Sequence, residues 1–223
     1  MKLVINTEVM TNCMSRADVV RLIADAGFDG LDCSLFDLME DDSDWLRDDW
    51  KERALQLRAV AEECGLVFRQ AHAPFPSARG KEPYDTVIRE RIIRAIEVAA
   101  ALGIENIVVH PIHYTKYFAT REEQFSRSVE FYKSLMPYCE QLGIRVCTEN
   151  MWDVDKAKVI RDSLCARPEE FMALVDAVDH PWMGACLDIG HAEMAGLNTS
   201  SVEMIHALGH RLQALHLHDN DCK

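Results

Sequence analysis

The chain has 223 residues, 48% of them hydrophobic, which suits one large domain or two small ones with a sizeable core. Its formal charge of −13, with no cluster of Lys or Arg, argues against a surface built to hold nucleic-acid phosphates. No apolar run approaches the roughly 18 residues of a membrane span. The short Met1–Asn6 segment lacks the apolar region and cleavage site of a signal peptide, so a soluble cytoplasmic protein is expected.

From the N-terminus onward one unit recurs: a helical pattern ends near a glycine and an apolar strand follows. The junctions are Ala26-Gly27-Phe28-Asp29-Gly30-Leu31-Asp32, Cys64-Gly65-Leu66-Val67-Phe68, Leu102-Gly103-Ile104-Glu105-Asn106-Ile107-Val108-Val109 and Leu142-Gly143-Ile144-Arg145-Val146-Cys147. Each first glycine fits the left-handed position that closes a helix. Gly27, Gly65, Gly103 and Gly143 are spaced by 38, 38 and 40 residues, a period that a helical repeat array could also give. A strand after every helix instead indicates βα units and a parallel sheet.

Seven strands are predicted at roughly 3–6, 30–35, 66–72, 106–111, 144–149, 183–188 and 212–217. Between them lie predicted helices at roughly 15–26, 50–64, 85–102, 121–142, 168–179 and 199–209. Ser15 is placed to cap the first, whose apolar positions are Val19, Val20, Leu22 and Ile23. The stripe Val87, Ile88, Ile92, Ile93, Ile96, Ala99 and Ala100 reads as core packing against a sheet. Without a Gly-x-Gly-x-x-Gly turn, the pattern favours a (β/α) TIM barrel over a dinucleotide-binding fold. A barrel needs eight strands and typically about 250 residues. The expectation is therefore a single domain over residues 1–223, apparently truncated after the seventh strand, with no internal linker.

Three connections stand out. Residues 36–49 are rich in acids and carry Trp45, and are expected to form a mobile, solvated acidic lid. Residues 73–84, with Pro74, Pro76, Gly80 and Pro83, and residues 150–167, with Trp152 and both charge signs, are expected as loops. The eight cysteines include no Cys-x-x-Cys pair, which speaks against a zinc knuckle. Cys33, Cys147 and Cys186 lie in apolar strands and read as small core residues in a reducing compartment.

Polar residues gather at or just past the predicted strand ends: His72, His110, Glu149, Asp188, His191 and His216. In Leu187-Asp188-Ile189-Gly190-His191, Gly190 lets the chain turn so that His191 folds over the same mouth. An alternative reading has Asp188 capping a helix beside a surface histidine. Single residues of this kind are usually structural, but strands three to seven of a barrel empty onto one face. The Asp188 oxygen and His191 imidazole meeting at one point suit Mn, Zn, Fe or Co better than Ca or Mg, and the two carboxylates and imidazole of Glu149, Asp188 and His216 support a divalent metal. Such a metal acts as a Lewis acid while a carboxylate removes a proton next to a carbonyl. No Gly-x-Ser-x-Gly elbow supports a serine nucleophile.

The motifs Ala71-His72-Ala73-Pro74, Val109-His110-Pro111, Thr148-Glu149-Asn150, Leu187-Asp188-Ile189-Gly190-His191 and Leu215-His216-Leu217-His218-Asp219-Asn220-Asp221, in this order, resemble the xylose isomerase-like TIM-barrel superfamily, in its sugar phosphate isomerase/epimerase branch. The resemblance implies a divalent metal (Mn, Zn, Co, Fe or Mg) held by Glu149, Asp188, His216 and a Glu from an eighth strand. It implies that His191 contacts substrate. His72 and His110 match positions that bind metals in endonuclease IV-like members and line the substrate pocket in sugar enzymes. The function so implied is metal-dependent isomerisation or epimerisation of a sugar or polyol, with Glu149 as the base. A metal-dependent DNA repair endonuclease and a catalytically impaired sugar-binding remnant are the alternatives, the first opposed by the acidic balance. No nucleic-acid or membrane partner is expected. The missing eighth unit would leave two strand edges open and invite self-association into a homo-oligomer.

Overall fold

The computed structural model describes residues 2–112 and 120–218. Seven strands form one parallel sheet: β1 (Val4–Asn6), β2 (Gly30–Ser34), β3 (Phe68–His72), β4 (Asn106–Val108), β5 (Arg145–Glu149), β8 (Met183–Asp188) and β9 (Leu212–His216). Each pairs only with its sequence neighbours in this series, the order expected of a barrel rather than of a doubly wound sheet. The sheet is a curled, incomplete barrel, and β1 and β9 are its edges among the described residues. A separate antiparallel pair, β6 (Trp152–Val154) and β7 (Ile160–Asp162), stands on the connection after β5.

The principal helices are α2 (Arg16–Asp25), α3 (Trp50–Glu63), α4 (Tyr84–Ala101), α5 (Arg121–Leu142), α6 (Pro168–Val178) and α8 (Ser201–Leu208); α1 (Glu8–Thr11) and α7 (Ile189–Ala192) are single turns. Their ends follow from local chemistry. Ser15 Oγ accepts the Asp18 amide and starts α2. Gly27, Gly65, Gly103 and Gly143 all have φ between +67° and +82°, the left-handed conformation predicted for them. No helix among the described residues is long and apolar enough to cross a membrane.

Strand alternation divides the buried apolar residues into two compartments. The large one joins the helices to the sheet. It includes Val19, Val20 and Ile23 of α2, Ile88, Ile92, Ile96 and Ala99 of α4, and Phe171 and Leu174 of α6. Leu22 and Val87, predicted in the packing stripes, are exposed. The small compartment lies inside the curl and consists of Val108, Cys147, Cys186 and Ala214. Each stands two residues before a polar residue on its own chain segment: His110, Glu149, Asp188 and His216. Residues two apart on a strand share a face, so the apolar plug and the polar mouth belong to one interior surface.

Two connections differ from expectation. The acidic run 36–49 is stitched to the body instead of standing free. It forms two 3-10 turns, Phe36–Met39 and Asp44–Leu46, with Leu38 and Trp45 buried. Arg91 donates to the Leu38 carbonyl (3.0 Å), and pairs with Met39 O and Asp41; Arg94 donates to Trp45 O (3.1 Å), and Arg16 pairs with Asp37 and Asp44. The second difference is the β6–β7 hairpin within 150–167. Some of its charges are paired: Asp162 accepts from Arg121 of α5 (3.1 Å), which also binds Glu170 of α6 (2.6 and 2.8 Å), and Arg161 binds Asp155 (2.7 Å).

One buried junction ties the helical layer to the strands that end in the mouth. Tyr132 of α5 is fully buried, and its hydroxyl lies 2.7 Å from both Val109 O and Thr148 Oγ1. A phenol has one proton, so it donates to the Val109 carbonyl and accepts from the threonine. Tyr132→Phe removes this donor and leaves the carbonyl unpaired, at an expected cost of about 1–2 kcal/mol. Urea unfolding of the two forms measures it; equal midpoints and slopes would contradict the assignment.

Candidate metal centre and active site

The six residues predicted from strand ends converge. His72 ends β3, Glu149 ends β5, Asp188 ends β8 and His216 ends β9; His110 lies just past β4, and His191 lies in α7. Glu149 is the hub, 1% exposed, with Oε1 facing His216 Nδ1 (3.1 Å) and His191 Nδ1 (3.6 Å). Its Oε2 faces His110 Nε2 (3.0 Å) and His72 Nε2 (3.5 Å). Despite these short distances Oε2 makes no aligned hydrogen bond, and neither does the buried Nε2 of His216.

Backbone carbonyls fix two of the rings. His72 Nδ1 lies 2.8 Å from Ala73 O, and His191 Nδ1 lies 2.9 Å from Asn150 O. A carbonyl can only accept, so each Nδ1 carries a proton, and in the neutral ring each Nε2 keeps its lone pair. His72 Nε2 then meets His110 Nε2 at 3.1 Å. This is the arrangement usual for ligand histidines, whose second nitrogen is held by an acceptor.

Electrostatics agree. Burial works against charge on Glu149, but the His110, His216 and His72 rings outweigh it and hold the carboxyl well below the usual range. Burial likewise disfavours charge on His216; Cys186, Asp188 and Glu149 overcome it and raise its pKa above the ordinary value. For His110 burial prevails over the attraction of Glu149 and lowers the pKa.

The donor set fits a transition-type divalent metal. Glu149, Asp188 and His216 bring ligand atoms within 4.8 Å of one another, as do His72, His110 and Glu149, and Asp188, His191 and His218. Ligands at about 2.0–2.2 Å from one ion stand roughly 3.0–3.5 Å apart across octahedral or tetrahedral edges. The His72, His110 and Glu149 atoms stand 3.0, 3.1 and 3.5 Å apart. In the Glu149, Asp188 and His216 set, His216 Nδ1 lies 3.1 Å from Glu149 and 3.7 Å from Asp188 Oδ2.

Several contributors went unnoticed in the sequence. Asn150 donates to Asp188 O (2.9 Å) and accepts the Asp188 amide (2.7 Å), so it joins β5 to β8. His218 Nε2 lies 2.9 and 3.0 Å from the two oxygens of Asp188. Asp188 Oδ1 also accepts the His191 amide (2.7 Å), so Asp188 caps α7 while its side chain lies among the gathered histidines. Asp32, buried within β2, accepts from Gln70 (3.1 Å) and faces His216. Phe36 and Phe75 pack around His72 and His110, with ring centroids 4.7–5.9 Å apart, and Trp152 stands beside His191 at 6.1 Å. Asp219, Asn220 and Asp221 of the last motif lie outside the described residues.

A curled parallel sheet with ionisable residues gathered at its strand ends defines a (β/α)-barrel protein with its site at the usual face. Residues 20–223 match the xylose isomerase-like TIM barrel family, and the chain belongs to that family. An uncharacterised protein of Methanocaldococcus jannaschii is 29% identical over 154 residues, 67% of this chain and 50% of that protein, so the chain spans about half the length of this curated relative. Among solved structures, a D-tagatose 3-epimerase-like protein superposes with a TM-score of 0.77 at 24% identity, covering 100% of this chain and 78% of that one. The IolI protein with a bound zinc atom gives 0.68 at 18% identity, over 92% and 68%. At these identities the structural likenesses show the fold.

Gly190 gives the site a testable weak point. A Cβ there would fall 2.1–2.5 Å from atoms of the His218 ring. Gly190→Ala should therefore swing His218 off Asp188, because the ring is the part free to move. NMR of the histidine rings should show the His218 signals shifting towards those of an exposed imidazole, with the His72 and His110 signals unchanged. Unmoved His218 signals would contradict this contact.

Proposed function

We propose that the chain is a metal-dependent isomerase or epimerase of a sugar or polyol, with Glu149 as the base and Glu149, Asp188 and His216 as metal ligands. The observation that carries this reading is Glu149 itself: a buried carboxylate at a strand end, ringed by histidines, with one oxygen lacking any aligned hydrogen bond. The family, the epimerase-like neighbour and the zinc of the IolI structure support it.

A bound divalent ion would supply Lewis-acid stabilisation of the oxygens next to the carbon that loses its proton. The rest falls to the protein. Glu149 is ionised at neutral pH because its histidine partners outweigh burial, so it can accept a proton from carbon through Oε2. The same depression makes it a weak base, which the activation of the carbon acid must offset. His191, its Nδ1 proton committed to Asn150, presents Nε2 as an acceptor for a substrate hydroxyl. His72 and His110 form the opposite wall, as further ligands or as contacts to sugar oxygens. Phe36, Phe75 and Trp152 give the mouth apolar rims against which the C–H face of a sugar ring can pack.

The test is exchange. Metal-loaded protein incubated in D2O with a panel of ketohexoses and inososes should place deuterium at the carbon next to the carbonyl of at least one. Glu149→Gln should slow this by about 10²-fold or more. Exchange of no member with Mn, Co or Zn present, or exchange undiminished in Glu149→Gln, would overturn the assignment.

A further inference from the structure

Asp32 has no assigned part in the centre, yet it is the third buried carboxylate of the interior. It is 5% exposed, on β2, with Oδ2 accepting from the buried Gln70 amide and Oδ1 without a partner. Burying such a group half-paired costs folding free energy, so a compensating use is expected. What it faces is the other orphan of the site. His216 Nε2 is also buried and unpartnered, and it lies 4.0 Å from Asp32 Oδ2. The opposite edge of the same ring, Nδ1, faces Glu149 and Asp188.

An imidazole that ligates through Nδ1 must carry its proton on Nε2, and that proton needs an acceptor in a dry interior. We infer that Asp32 is the positioning residue for His216: its carboxylate takes the Nε2 proton in a hydrogen bond and so holds Nδ1 toward the metal. Closing the gap needs about 1 Å of movement, since the bond forms near 3 Å. Gln70, paired in register with Asp32 on β3, anchors Oδ2 from the side and keeps the carboxylate turned inward. The inference rests on the metal reading above, with His216 as a ligand.

The two roles open to Asp32 predict opposite results. For a positioning residue, Asp32→Leu lowers Co²⁺ affinity by about 10–100-fold, the usual effect of losing a partner behind a ligand histidine. Metal-free stability changes little, because loss of a half-paired buried carboxylate offsets the orphaning of the Gln70 amide it accepts from. Asp32→Asn, whose side-chain carbonyl still accepts, recovers part of the affinity. For a merely structural residue, metal-free stability falls and Co²⁺ affinity is unchanged in the folded protein, which would overturn the inference. Should Asp32→Leu not fold, the ring ¹⁵N shifts of His216 in the Zn²⁺-loaded natural protein decide: protonated Nε2 with metal on Nδ1 supports the inference, and metal on Nε2 overturns it. A natural protein that binds neither Co²⁺ nor Zn²⁺ would instead overturn the metal reading itself.

Discussion

A buried carboxylate is tolerated only when its surroundings are built for it, and Glu149 sets that demand for the whole interior. It lies at the end of β5 with almost no solvent contact, within 3.0–3.6 Å of nitrogens from four histidines. Those rings come from β3, the segment after β4, α7 and β9, so the curvature of the sheet must bring four separate parts of the chain to one oxygen pair. Two of the rings, His72 and His191, are in turn held by the Ala73 and Asn150 carbonyls. Charge at the centre, tautomer in the next layer and backbone conformation beyond it form one chain of dependence.

The plug beneath the mouth makes this arrangement possible. Val108, Cys147, Cys186 and Ala214 are small or compact, and they fill the curl without raising its floor into the space the histidines occupy. The two thiols there are inert by environment: burial pushes Cys186 up to about 12, and Cys147 higher still. They behave as small apolar residues, as their place in the strands suggested.

Much of this was legible in the sequence, for identifiable reasons. The strands and the closing glycines were readable because helix, left-handed glycine and apolar strand recur at a near-constant spacing. The six strand-end residues were readable because parallel βα units all point their strand ends one way. Asp32 was missed because it stands inside a strand rather than at its end; a single acid in Gly30-Leu31-Asp32-Cys33-Ser34 was the available signal. His218 lies past β9 and is brought to Asp188 by the bare backbone of Gly190, a contact that no spacing rule contains. The tethering of 36–49 depends on Arg91 and Arg94, some fifty residues away, and a run of acids gives no hint of distant guanidinium partners. The β6–β7 strands are three residues each, too short for alternation to show.

The dispersal of the site over the sheet has a consequence for how the molecule assembles. Asp32, His72, His110, Glu149, Asp188 and His216 each arrive on a different βα unit, and no single unit brings more than two of the clustered ligand residues. The full set of ligand residues meets only when the sheet has curled. An ion bound there would stabilise the curled form and by mass action draw the chain toward it. Were an ion held by these groups, its binding and the completion of the curl would be thermodynamically linked.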